Sequence, residues 1–163
     1  MPSAHPSFQY GSRGHALGFA NRTRKNLLYI TTAFADGADV HVITQLVNSL
    51  LGIIVFPWER DFLDTIGHIT LDSLTQKGWP HWQISEGTST TLGQLLHRLR
   101  NGTAHGQIAF SSESRYLADV TITIRNDPPQ KASHHGSWCA SIRADHLHDF
   151  CIRLLHLITE HAP

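Results

Sequence analysis

Residues Leu92 to Gly106 read LGQLLHRLRNGTAHG, and the rest of the chain is organised around them. Leu92, Leu95, Leu96 and Leu99 recur at i, i+3, i+4 and i+7, which makes one apolar helix face. At about 100° per residue, the opposite face carries His97, Asn101 and His105 nearly in line, flanked by Arg98 and Arg100. Ser89, Thr90 and Thr91 supply capping side chains at its start, and Gly106 is placed to end it. A helix buried on its leucine side thus offers Arg, Asn and His together on its polar side.

Working outward from that helix, two further apolar stripes precede it. Leu27, Leu28, Ile30, Thr31 and Phe34 face inward on a helix expected from about Asn21 to Ala35. Val42, Ile43, Leu46, Val47, Leu50 and Ile54 form the stripe of a second, which stops at Pro57. The turn Asp36-Gly37-Ala38-Asp39 joins them, with Asp39 as the expected cap of the second helix. Trp58, Trp79, Pro80 and Trp82 mark residues 57–88 as a connecting region packed by aromatic side chains, with a short helix near Leu71.

Beyond Gly106 the period changes. From Leu117 to Arg125, Val120, Ile122 and Ile124 alternate with Thr121 and Thr123, the pattern of a strand. A polar turn over 126–135 leads to a second strand from Trp138 to Arg143. Asp145 is then expected to cap a last helix striped by Leu147, Phe150, Cys151, Leu154, Leu155 and Ile158. The expected fold is mainly α, an up-and-down helical bundle with a β-hairpin inserted before the last helix. Residues 1–20, without a period, are expected as a flexible N-terminal arm, and residues 21–163 as one helical domain.

Composition narrows the function. The chain has 163 residues, zero formal net charge and 13 histidines. Zero charge argues against a broad electrostatic grip on nucleic acid but leaves room for a local basic patch. Two cysteines without a CxxC argue against a disulfide scaffold. The opening residues lack a charged segment followed by an apolar run, so no signal peptide is expected. Polar residues interrupt the most apolar stretch, so no membrane span is expected either. A reduced, cytoplasmic protein follows from these features. His134, His135, Cys139, His146, His148 and Cys151 cluster near the C-terminus without the regular spacing of zinc ligands, so no metal is expected.

Arg100-Asn101-Gly102-Thr103-Ala104-His105-Gly106 is an Arg-x4-His pattern with Asn directly after the Arg and Gly directly after the His. It resembles the signature of the HEPN superfamily. The resemblance implies a compact helical bundle and a metal-independent endoribonuclease of the toxin or defence type. Such a protein works as a homodimer without cofactor, in some cases with an antitoxin or other regulatory partner. On these positions it implies Arg100, Asn101 and His105 as catalytic, and RNA contacts fall to Arg98 and His97 beside them. The alternative is a non-catalytic bundle that binds a nucleotide, RNA or a partner protein. The bare pattern recurs at Arg143–His148, but there it begins at a strand end and lacks both the Asn and the Gly.

Two local features complete the picture. Arg100 is about 140° round the helix from His105, so its side chain either arches over Ala104 or meets a histidine of a second subunit. Gly102 costs a helix roughly 1 kcal/mol relative to Ala, which predicts that a partner helix or a substrate approaches closely there.

Overall fold

The computed structural model describes residues 13–55, 62–127 and 136–161. In chain order these form α1 (Arg13–Ala35), α2 (Val42–Val55), α3 (Phe62–Ile66), α4 (Leu71–Gln76), β1 (Gln83–Glu86), α5 (Leu92–Ala104), β2 (Ile108–Phe110), a 3-10 turn (Leu117–Asp119), β3 (Thr121–Asn126), β4 (Trp138–Arg143) and α6 (Ala144–His161). The fold is mostly helical with a small antiparallel sheet. Among the described residues no helix is long and apolar enough to cross a membrane.

The apolar stripes decide which helix faces meet. Leu46, Leu50, Ile53 and Ile54 of α2 are buried, and α2 packs on α1, α5 and α6. The α5 leucines and the α6 stripe close the same core, with Leu99, Leu147, Cys151 and Leu154 fully enclosed. Burial pushes the Cys151 thiol well above its ordinary value, so it behaves as a small apolar side chain. Helix α1 begins at Arg13, so residues 13–20 belong to a helix and not to a loose arm; residues 1–12 lie outside the described residues. The reason is packing: Ala20 is buried and the Phe19 ring lies against Gly52 of α2.

The hairpin of β3 and β4 is the centre of a larger sheet. The strand order is β1-β4-β3-β2, and all pairs are antiparallel. Strands β1 and β2 were not expected, because QISE and IAF are too short to show an alternation. Leu117–Asp119, expected within the strand, instead forms the 3-10 turn leading into β3. In β3, Ile122 and Ile124 are buried, preceded by Val120, and the sheet lays that side against α5.

Two expected caps have other work. Asp39 pairs with Arg115 at 2.9 Å; Arg115 also donates to the Val40 carbonyl and stacks over Phe34, tying the α1–α2 turn to the loop before β3. Asp145 lies inside the first turn of α6. There it accepts both forks of Arg143 at 2.6 Å, which holds its carboxyl below the usual range. The expected aromatic packing is found at two rings: Trp79 and Trp82 meet Phe150 of α6 edge-on, at 5.6 and 5.9 Å. Trp58 lies outside the described residues.

Helix α6 is pinned to α1 by His148. The Thr31 hydroxyl donates to the Leu27 carbonyl at 2.7 Å, which leaves its oxygen to accept from the His148 Nε2–H at 3.2 Å. His148 thereby carries a proton on Nε2, and burial, which disfavours the charged ring, holds its pKa below the ordinary 6.5. The unfolded chain therefore binds this proton more readily than the folded one. His148 contributes stability above about pH 6.5, and that contribution is lost as pH falls towards the lower folded value. Urea unfolding of the wild type is expected to lose more stability than His148→Gln between neutral pH and about pH 5.5. Equal losses in the two proteins would remove His148 as the source.

Candidate functional site

Helix α5 carries the candidate site, and its ends are fixed by local hydrogen bonds. Thr91 is the N-cap, its hydroxyl accepting from the Gln94 N–H at 3.3 Å, while the Gln94 side-chain Oε1 accepts from the Thr90 N–H and hydroxyl. At the other end His105 is the C-cap, with φ −94° and ψ 8°. Gly106 follows at φ +68°, the left-handed conformation that favours glycine. Its N–H reaches the Thr103 carbonyl, and the Gln107 N–H reaches the Gly102 carbonyl at 2.8 Å. This paired closure is the Schellman motif. It turns the chain from α5 into β2 and leaves His105 at the last turn.

On the solvent side a polar chain runs along the helix. Arg100 Nη1 donates to Asn101 Oδ1 at 3.3 Å. That makes the oxygen the acceptor, so Asn101 Nδ2 donates to His97 Nε2 at 3.0 Å. In that arrangement His97 Nε2 is the acceptor. Arg100 and Asn101 are half-buried and His97 is exposed. His105, also exposed, makes no side-chain hydrogen bond among the described residues. A free imidazole is thus one helical turn from Asn101, with a guanidinium and a second imidazole joined through the same amide.

Arg98, expected at the RNA, is half-buried and donates to the Gly136 carbonyl just before β4 at 3.3 Å. It anchors the start of β4 to α5. The close approach expected at Gly102 comes from inside the chain. A Cβ there would be 2.2 Å from the Arg125 carbonyl oxygen and 2.6 Å from Ile124 Cγ2, so the neighbour is β3, not a partner helix or a substrate. At the second Arg-x4-His match the two residues are separated: Arg143 is held by Asp145 and His148 by Thr31. Among the described residues no three of His, Cys, Asp and Glu gather into a metal-binding group; His134 and His135 lie outside them.

Spacing pointed to the α5 face but not to the cavity at the opposite end of that helix. Leu71, Asp72, His81, Trp82, Ile84 and Ser89, with Thr90, enclose about 220 Å³ there. They come from α4, the loop into β1, β1 itself and the segment before α5, and no sequence period links them.

A family model described as HEPN pEK499 p136 matches residues 4–163. Among curated proteins nothing matches, and among solved structures nothing matches.

Proposed function

Because the chain belongs to the HEPN pEK499 p136 family, we propose that it is a metal-independent endoribonuclease of the toxin or defence type, cleaving RNA through the RNA's own 2′-hydroxyl. The observation that supports this reading is the hydrogen-bonded run Arg100–Asn101–His97 beside a free His105 on one exposed helix face. Family membership makes a role connected with RNA or toxicity reasonable; the reaction and its residues are our reading of that face.

The chemistry needs only these groups and the substrate. A base removes the 2′-hydroxyl proton, the 2′-oxygen bonds to the adjacent phosphorus, and the phosphorus–5′-oxygen bond breaks. The departing 5′-oxygen takes up a proton, giving a 2′,3′-cyclic phosphate and a 5′-hydroxyl. His105, exposed and without a side-chain hydrogen bond among the described residues, acts as base or acid in these transfers. The Arg100 fork stabilises the charge that grows on the phosphoryl oxygens. Asn101 orients Arg100 through Oδ1 and His97 through Nδ2, and His97 and Arg98 extend the contact to neighbouring phosphates or sugars. A homodimer in which two α5 helices face a shared cleft brings both sets of groups to one phosphate, which answers the lateral offset of Arg100 from His105. A small antitoxin-like partner would act by covering this face.

Mapping the ends of RNA exposed to the pure protein tests the reading. Cyclic phosphate ends that form equally well in EDTA are expected. Ends carrying 5′-phosphate, or cleavage abolished by EDTA, would replace this mechanism with metal-assisted hydrolysis. RNA that is bound yet left intact would favour the non-catalytic alternative.

A further inference from the structure

We infer that the outward face of α1 is a self-association surface, on which two copies of the chain pair their α1 helices antiparallel. This contact goes beyond the proposed cleavage and does not depend on it. Arg22, Lys25, Tyr29, Thr32 and Asp36 recur at steps of 3, 4, 3 and 4, the spacing of residues that meet across a helix pair. All of them are exposed. At about 100° per residue they fall within an arc of about 80°, directly opposite Leu27, which is fully buried. Asp36 lies one residue beyond α1, and its N–H still donates to the Thr32 carbonyl at 2.9 Å, so it keeps the helical register. Tyr29, at the middle of the stripe, is 77% exposed, and its neighbour Leu28 is 42% exposed.

The charges select the partner. No acid precedes Asp36 in the chain, so the stripe is cationic at one end, at Arg22 and Lys25, and anionic at the other. Among the described residues none of Arg22, Lys25 and Asp36 forms an ion pair. Arg22 and Asp36 are about 21 Å apart along the helix at 1.5 Å per residue, too far to pair within one chain. A two-fold axis through Tyr29 brings Arg22 of each copy level with Asp36 of the other. It also sets the two Tyr29 rings side by side at the centre, each beside Leu28. Such a contact is isologous, one patch complementing itself. RNA suits the stripe less well, because a strand of phosphates running along it meets the carboxylate of Asp36. Leu28 and Tyr29 alone offer too little apolar surface for a helix lying in a membrane interface.

Helix α1 packs on α2 and α6, whereas α5 packs on α2 and β3, so this surface draws on none of the α5 groups. A pairing through α5 and a pairing through α1 are separate contacts, and together they join dimers into larger assemblies. One helix from each copy makes a small contact beside the roughly 800 Å² per partner of a standard interface. The association is therefore weak and reversible, and a covalent trap is the suitable readout.

Tyr29→Cys in the full chain tests the pairing without any cleavage readout. Cys139 and Cys151 are buried, so the introduced thiol reports alone. Helix axes about 8–10 Å apart, with Cα atoms about 2.3 Å from each axis, bring facing Cα atoms to about 3.5–5.5 Å. That range overlaps the roughly 4.4–6.8 Å span of a disulfide. Under mild oxidation Tyr29→Cys is expected to form covalent dimers about tenfold faster than Thr44→Cys, an exposed position on α2, because paired thiols react at a raised effective concentration. Adding Arg22→Asp or Asp36→Arg to Tyr29→Cys should slow the trapping about fivefold. Adding both should restore it, because opposite charges again face each other. Equal rates at Tyr29→Cys and Thr44→Cys, or a double exchange no faster than the single ones, overturn the pairing. If Arg22→Asp weakens RNA binding and leaves the trapping unchanged, the face belongs to RNA and the pairing is overturned as well. All these positions are exposed, so melting temperatures should stay near the wild type. Failure here leaves the role of Arg100 and His105 untouched, and their failure leaves this surface untouched.

Discussion

His105→Ala is expected to lower RNA cleavage by about 10²–10⁴-fold, the usual contribution of a positioned acid or base, with the melting temperature nearly unchanged. The separation of the two effects follows from where His105 stands. Its backbone N–H closes the helix on the Asn101 carbonyl, and alanine keeps that bond. Its ring is exposed and makes no side-chain hydrogen bond among the described residues, so little stability depends on it. Surface changes of this kind usually remain within about 0.5 kcal/mol. Arg100→Ala should abolish cleavage similarly, and Arg100→Lys should not restore it, because a single ammonium lacks the planar fork. Single-turnover cleavage and thermal melting of the same preparations measure both quantities. A variant lacking His105 that cleaves like the wild type would remove this residue from the reaction.

Mixing the two inactive variants tests the shared cleft directly. If each site takes Arg100 from one protomer and His105 from the other, a heterodimer of Arg100→Ala with His105→Ala has one intact site. Random pairing then restores about a quarter of wild-type activity. If both groups act within one protomer, every protomer in the mixture lacks one of them, and activity stays at the level of the single variants.

The largest expected effect on stability belongs to Gly102→Ala. Helix propensity taken alone favours the alanine by roughly 1 kcal/mol. Against this, the new Cβ would be 2.2 Å from the Arg125 carbonyl oxygen, and that atom is backbone. It cannot swing aside as a side chain would: Arg125 is paired with Cys139 across the sheet, and its N–H is held by the Gln107 carbonyl at 2.9 Å. Helix or strand must therefore shift, and overpacking of this kind costs about 1–3 kcal/mol, occasionally more. With two contacts this short, the upper end is expected. A loss of about 3 kcal/mol lowers the melting temperature of a domain this size by roughly 6–12 °C. A Gly102→Ala protein that melts as the wild type does would show that β3 yields easily.

That glycine also marks the limit of reading by period. Leu92, Leu95, Leu96 and Leu99 identify the buried face of α5 by spacing alone, and the same reasoning finds the inner faces of α2 and α6 and the buried residues of β3. Each is a local pattern, set by 3.6 residues per helical turn or two per strand, and a buried stripe of that length has few alternatives. Strands β1 and β2 left no such mark, since three or four residues cannot show an alternation, and they exist because β4 and β3 offered them edges to pair with.

The site divides in the same way. Arg100, Asn101, His105 and Gly106 were legible as a motif, and the Schellman closure that presents His105 follows from Gly106. The direction in which Asn101 bonds, the anchoring of Arg98 to Gly136, and the strand that makes Gly102 necessary were not. The sequence by itself determined the amphipathic helices and the residues on their polar faces, because those depend on near neighbours in the chain. Only the tertiary structure decided what approaches those faces, because contacts such as Gly102 with Arg125, or Ser89 beside Trp82 and Asp72, join segments that no local period relates.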